Sequence, residues 1–135
     1  MTVLEGGCFC GAVRYRVAGG FGVTHCHCLH CRKIGGAPYV TWVEAKRGGF
    51  DWTHGQPVEF SSRPGVTRTY CSACGSPLTF QNHDFPDSID ITAGTLDDPS
   101  ALVPDDHVWF DRRLPWAPAE DGLRRYGRGR RDEED

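Results

Sequence analysis

The sequence has few apolar residues and no long apolar run. Hydrophobic residues make up 39% of the 135 residues, and no stretch of about 20 apolar residues occurs that could span a bilayer. The first seven residues contain no basic region followed by an apolar segment. We therefore expect a cytoplasmic protein without a membrane-spanning segment.

The sequence also has no excess of positive charge. Its formal net charge is −3 at pH 7, which gives no general attraction to nucleic acid or to anionic membranes. The C-terminal segment is the exception, with five arginines between positions 124 and 131 followed by four acidic residues. These arginines and Tyr126 could form an RNA-binding tail. We favour a solvated, flexible terminus whose opposite charges partly cancel, and we expect no nucleic-acid partner.

Helical periodicity is missing from the chain, and no window of about a dozen residues sustains it. Short segments that alternate apolar and polar residues between Gly, Pro or Asp predict β-strands instead. These strands are expected around Val13–Val17, Tyr39–Val43, Val58–Phe60, Val66–Tyr70, Leu78–Phe80 and Ile89–Ile91, with helical turns at Leu29–Ile34 and Pro99–Leu102. The sequence predicts one mostly β domain of antiparallel sheets packed around metal, spanning residues 1–120. A charged and flexible tail is expected over residues 121–135.

Cysteine is the residue type with the clearest pattern. The seven cysteines form a pair at Cys8 and Cys10, a triplet at Cys26, Cys28 and Cys31, and a pair at Cys71 and Cys74. An odd number fits poorly with a closed set of disulfides, and disulfides are disfavoured in the cytosol. The clustered cysteines are therefore predicted to be metal ligands.

The two cysteine pairs together supply a complete tetrahedral zinc site. Four protein ligands are typical of structural zinc, so Cys8, Cys10, Cys71 and Cys74 predict a structural ion that leaves no place for a substrate. About 60 residues separate the pairs, and closing so long a loop ties the first strand to a hairpin in the middle of the chain.

The cysteine triplet lacks a fourth ligand, which leaves three interpretations open. A fourth protein ligand would make it a second structural site. A redox role for Cys28 and Cys31 is weaker, because no thioredoxin-like βαβ pattern surrounds them. The third interpretation is an open catalytic zinc, which keeps one position for water or substrate. Candidate fourth ligands are His25, His30, His54, His83, His107, Asp84 and Asp111.

An open site held by Cys26, Cys28 and Cys31 has a definite chemistry. Three thiolates on Zn²⁺ carry a net charge of about −1, and Arg32 and Lys33 follow directly in the sequence. An incoming thiol bound there would become a thiolate able to attack a small aldehyde. His27 or His30 could move the proton.

Several segments resemble the glutathione-dependent formaldehyde-activating family, which includes centromere protein V. The segments that carry the resemblance are Gly6–Tyr15, Cys26–Lys33, Tyr70–Leu78, Ile89–Pro99, His107–Trp109 and Leu114–Trp116. The likeness runs in order from about Gly6 to Trp116.

This resemblance implies a zinc β-tent fold with two zinc ions. It implies a structural zinc on Cys8, Cys10, Cys71 and Cys74, and a second, catalytic zinc on Cys26, Cys28 and Cys31. The implied activity is that of a carbon–sulfur lyase of the S-(hydroxymethyl)glutathione synthase type, which condenses glutathione with formaldehyde. A small thiol and a small aldehyde are then the expected partners.

Two other functions are compatible with the same cysteines. One is a non-catalytic zinc module that binds a protein or nucleic acid through Trp109, Phe110 and Trp116 together with the arginine tail. The other is a zinc or redox sensor that uses the triplet as a labile site.

Overall fold

The fold consists mostly of short β-strands. The computed structural model describes residues 2–133. Its strands are β1 Val3–Gly7, β2 Arg14–Ala18, β3 Gly22–Cys26, β4 Val40–Lys46, β5 Phe50–His54, β6 Val58–Phe60, β7 Val66–Tyr70, β8 Pro77–Asn82, β9 Ser88–Thr92, β10 Asp106–Val108 and β11 Arg124–Arg125. The helix α1 spans Leu29–Gly35, and 3-10 turns lie at Arg47–Gly49, Ala93–Thr95, Pro99–Ala101, Phe110–Arg112 and Arg130–Glu133. Within residues 2–133, no helix combines the length and the apolar character needed to cross a bilayer.

The strands form a small sheet and a large sheet. The small sheet has the order β1-β2-β5, and the large sheet has the order β11-β10-β3-β4-β9-β8-β7-β6. Tyr15 and Val17 of the small sheet share one buried cluster with Val43 and Ile91 of the large sheet. The main core therefore lies between the two sheets.

The opposite face of the large sheet, called the outer face below, carries a second cluster. Alternate residues of a strand point to opposite faces, so Trp42 and Phe80 lie away from the Val43 and Ile91 side. Trp42 forms a buried cluster with Cys26 and Cys31, against which Phe80 packs. The cysteine triplet thus lies on the outer face, away from the small sheet.

Most of the structure matches the expectations from the sequence. The β-rich single domain is confirmed, and the helical turn expected at Leu29–Ile34 is part of α1. The sheets are mostly antiparallel as expected, but at one edge β10 runs parallel to both β3 and β11. The connection between β9 and β10 is long enough to cross over the sheet, so β10 can enter beside β3 and run in the same direction as β3.

The C-terminal segment packs against the large sheet as far as the structure describes it. The Tyr126 amide donates to the His107 carbonyl at 2.8 Å. The Arg130 guanidinium pairs with Asp106, Nε to Oδ2 at 2.7 Å, and with Glu44, Nη2 to Oε1 at 3.0 Å. Arg130 is therefore not part of a solvated tail, because its guanidinium pairs with carboxylates on β4 and β10. The division into residues 1–120 and 121–135 stays a prediction, and Glu134 and Asp135 lie outside the described residues.

Replacing Arg130 by Gln is expected to destabilise the fold by about 1–3 kcal/mol. The Asp106 side chain is only 7% exposed, and it would lose the cation that compensates its buried charge. Urea unfolding measures the change, with Arg16→Gln on the exposed side of β2 as the control. Equal stability of the two variants would show that the Arg130 ion pairs contribute nothing.

Candidate metal centres

The first candidate centre brings together the four cysteines of the two pairs. Cys8 and Cys10 follow β1, and Cys71 and Cys74 lie in the turn between β7 and β8. Their sulfur atoms all lie within 4.8 Å of one another. The Cys10 sulfur is 3.7 Å from both the Cys8 and the Cys71 sulfur, close to the edge of about 3.8 Å that four zinc–sulfur bonds of about 2.3 Å would give a tetrahedron. This group could hold a metal ion, and all seven cysteines are free of disulfides.

Local backbone geometry presents these sulfurs to one point. The Val13 amide donates to the Cys8 sulfur at 3.2 Å. Gly75 has a φ of 80°, a left-handed conformation that glycine adopts without steric cost, and its amide donates to the Cys71 carbonyl at 2.8 Å. Hydrogen bonds from Ser76 lower the pKa of Cys74. The Cys74 sulfur is therefore predisposed to the thiolate form that metal binding requires.

The second candidate centre is the cysteine triplet. Cys26 ends β3, Cys28 caps the N-terminus of α1, and Cys31 lies in its first turn. The three sulfur atoms lie within 4.8 Å of one another. The Cys28 sulfur accepts a hydrogen bond from the Cys31 amide at 3.3 Å. Hydrogen bonds with the other two cysteines lower the pKa of Cys28. The triplet therefore offers three ligands for a metal ion.

Among residues 2–131, no histidine or acidic residue joins the triplet to complete it. His25 bonds to the Thr41 hydroxyl at 2.7 Å, and His83 bonds to the Thr67 hydroxyl at 2.9 Å. His107 bonds to His27 and to Asp121. The fourth ligand considered in the sequence analysis is thus not supplied by the described part of the chain.

A chain of hydrogen bonds starts at His27, which lies between Cys26 and Cys28 in the sequence. His27 Nε2 is 2.8 Å from His107 Nδ1, and His107 Nε2 is 2.9 Å from Asp121 Oδ2. Both rings are fully buried. Burial, followed by the neighbouring His107 and His25, lowers the pKa of His27 to about 4. His27 is therefore held inside the protein as a neutral ring.

The carboxylate of Asp121 ends this chain. Its Oδ2 accepts the hydrogen bond that His107 Nε2 donates. His27 Nδ1 is buried and has no hydrogen-bond partner among the described residues. The sequence suggested His27 or His30 as a proton carrier and His107 as one of seven candidate fourth ligands, but it did not predict that His27 and His107 bond to each other.

Arg68 is the residue near the triplet that sequence reasoning missed. It lies on β7, is only 4% exposed, and its Nη2 is 3.7 Å from the Cys31 sulfur. Its guanidinium carbon lies 4.9 Å from the centre of the Phe80 ring and 5.8 Å from that of Trp42. The sequence did contain a signal for the burial of Arg68. Residues i, i+2 and i+4 of a strand share a face, so Arg68 lies on the same face of the strand as Val66 and Tyr70.

A cavity of about 330 Å³ adjoins the triplet. Cys31, Arg68 and Trp42 contribute to its wall. The other lining residues are Ile34, Gly35, Ala37, Tyr39, Val40, Thr41, Pro77, Thr92, Gly94 and Thr95. Its volume lies at the lower end of the usual range for ligand sites, about 300–1,000 Å³. The site therefore has a sulfur atom, a buried cation and room for a small molecule.

Comparison with known proteins gives a consistent result. A family model described as glutathione-dependent formaldehyde-activating enzyme matches residues 3–112. A Halomonas elongata protein, whose name assigns it provisionally to the same activity, is 29% identical over 129 residues, which cover 87% of this chain and 82% of that protein. A crystal structure of a Rhodobacter sphaeroides protein has a TM-score of 0.58 at 23% identity and covers 75% of this chain and 92% of its own. The likeness to that structure shows a shared fold.

The two centres are expected to differ in their effect on stability. Cys74→Ser should lower the melting temperature strongly, because it opens the four-sulfur site that joins the two sheets. Cys28→Ser should stay folded and bind one metal equivalent less, since serine still caps α1. Circular dichroism and metal analysis by mass spectrometry measure both quantities. Equal destabilisation by the two variants would contradict this division.

Asp90 on the outer face is expected to make stability depend on pH. Burial, with a smaller contribution from Glu44, raises its pKa from 3.8 to about 7, against the opposing charges of Arg130 and Arg68. A carboxyl pKa raised by folding means that ionisation costs stability, so this cost grows as pH rises from about 4 to above 7.

Asp90→Asn removes the ionisable group and should therefore stabilise the protein more at pH 8 than at pH 5. Urea unfolding at the two pH values measures this difference. Asp51→Asn, at an exposed position of β5, serves as the control. A gain from Asp90→Asn that is the same at both pH values would be inconsistent with a raised pKa.

Proposed function

Because the chain belongs to the glutathione-dependent formaldehyde-activating family, we propose that it is a zinc-dependent carbon–sulfur lyase. It joins a thiol, glutathione or a similar compound, to a small aldehyde such as formaldehyde. The observation that carries the proposal is the three-cysteine cluster, which lacks a fourth described ligand and borders a cavity through Cys31.

The proposed cofactor is zinc at both centres. Thiolate sulfur is a soft ligand, and four sulfurs at tetrahedral spacing suit zinc. Cys8, Cys10, Cys71 and Cys74 would hold a structural ion between the two sheets. Cys26, Cys28 and Cys31 would hold the reactive ion, which supplies positive charge that favours the thiolate form of a thiol and polarises a carbonyl.

The proposed reaction adds the S–H bond of the thiol across the C=O bond of the aldehyde. A carbon–sulfur bond forms and the carbonyl π bond breaks, and the thiol proton is transferred to the carbonyl oxygen. The addition needs no oxidant and releases no leaving group. The chain contributes by holding the reactants together in the cavity beside Cys31, which replaces a bimolecular encounter by a fixed arrangement. Apolar lining residues such as Ile34, Val40 and Trp42 limit the space for competing water.

The alternative function as an interaction module has less support. Of the three aromatic residues considered for its surface, Phe110 is buried and Trp109 packs against the cluster around the triplet. Trp116, which is 69% exposed, remains as an available contact residue. The cytoplasmic location expected from the sequence stays a prediction.

Formation of S-(hydroxymethyl)glutathione tests the proposed activity. Exchange NMR at matched glutathione and formaldehyde concentrations should show faster formation of the adduct with wild-type protein than without protein. Cys28→Ser should reduce the rate to that of the uncatalysed reaction, because it removes one ligand of the open site. Lys33→Gln, a change on the exposed side of α1, is the matched control. Equal rates with and without the wild-type protein would exclude formaldehyde activation with glutathione.

A further inference from the structure

The charge of Arg68 has no carboxylate partner in the described part of the chain. Among residues 2–131, the arginines that form ion pairs are Arg14 and Arg130. Buried cations are normally paired, because removing a charge from water is costly. An arginine that is 4% exposed and borders a cavity is therefore expected to receive an anion from outside the chain.

The guanidinium of Arg68 is held in a fixed position. Its Nε donates to the Ser62 hydroxyl at 3.1 Å, and its Nη2 faces the Cys31 sulfur. Trp42 and Phe80 lie beside it. A planar group held in this way loses little freedom when it binds a carboxylate.

Two groups of the chain could compensate Arg68, and neither does so fully. Arg68 of β7 lies opposite Phe80 of β8, and Phe80 lies opposite Asp90 of β9, so Phe80 separates the two charged side chains. Asp90 forms no ion pair with Arg68. The Cys31 sulfur accepts from Nη2 at 3.7 Å and belongs to the triplet, which with zinc would carry a net charge of about −1. A guanidinium carries five N–H donors, so this contact leaves other donors of Arg68 available for an anion.

We propose that Arg68 is the specificity-determining residue that binds the carboxylate of the incoming thiol in the cavity beside Cys31. This inference rests on the proposed function and names its thiol substrate class as thiols that carry a carboxylate. Arg32 and Lys33, which follow the triplet in the sequence, do not line the cavity. Arg68 contacts both the sulfur cluster and the cavity.

A pair of thiols that differ only in charge tests the assignment. Titration calorimetry on the zinc-loaded protein measures binding of 3-mercaptopropionate and of its methyl ester, in the absence of aldehyde. The wild-type protein should bind the acid about tenfold to a hundredfold more tightly than the ester, the usual value of a charge-assisted hydrogen bond. Arg68→Gln should bind both thiols with the affinity of the ester. Arg68→Lys should keep part of the preference, and Lys33→Gln should keep all of it.

The possible results separate this inference from the proposed function. Equal affinity of the wild-type protein for the acid and the ester overturns the role of Arg68 and leaves the thiol site in place. An Arg68→Gln variant whose affinity falls by the same factor for both thiols would also overturn the role of Arg68, because the cation would then only balance the charge of the sulfur cluster. Failure of both thiols to bind the wild-type protein overturns the inference and the proposed function together. The comparison of acid with ester in the wild-type protein holds even where Arg68→Gln does not fold.

Discussion

The structure depends on the meeting of four sulfur atoms from two distant parts of the chain. Cys8 and Cys10 follow a strand of the small sheet, and Cys71 and Cys74 join two strands of the large sheet. A metal ion at this point would connect the sheets directly. In small zinc domains such binding contributes about 10–16 kcal/mol and is coupled to folding. With a hydrophobic content of 39%, the chain benefits from a link of this kind.

This link leaves the outer face of the large sheet available for chemistry. The main core and the four-sulfur centre lie on the side where the two sheets meet, whereas the triplet lies with Trp42 on the outer face. The triplet is built from one continuous segment that includes the first turn of α1. Opening its fourth position does not disturb the contact between the sheets. Under the proposed function, these separate locations would let a metal ion at the four-cysteine centre stabilise the fold while the triplet stays accessible to a substrate.

The cysteine spacing and the period-2 pattern were sufficient to predict much of this arrangement. Two pairs and one triplet predicted two separate clusters, and the pattern at 66–70 predicted β7 with its observed bounds. The parallel pairing of β10 could not be predicted, because it depends on how a long connection crosses the sheet. The burial of Arg68 and the bonding of His27 to His107 depend on contacts between residues far apart in the sequence. Neither local propensity nor ligand spacing contains that information.

The position of the cysteines along the chain also has a consequence for biosynthesis. A ribosome adds about 5–20 residues per second, so several seconds pass between the appearance of Cys10 and that of Cys74. Cys26, Cys28 and Cys31 emerge close together within that interval. The nascent polypeptide therefore presents all three cysteines of the triplet well before the four cysteines of the other centre are present together. If both centres bind metal as proposed, the triplet is the first that can capture an ion during translation, and the four-cysteine centre that joins the two sheets is the last.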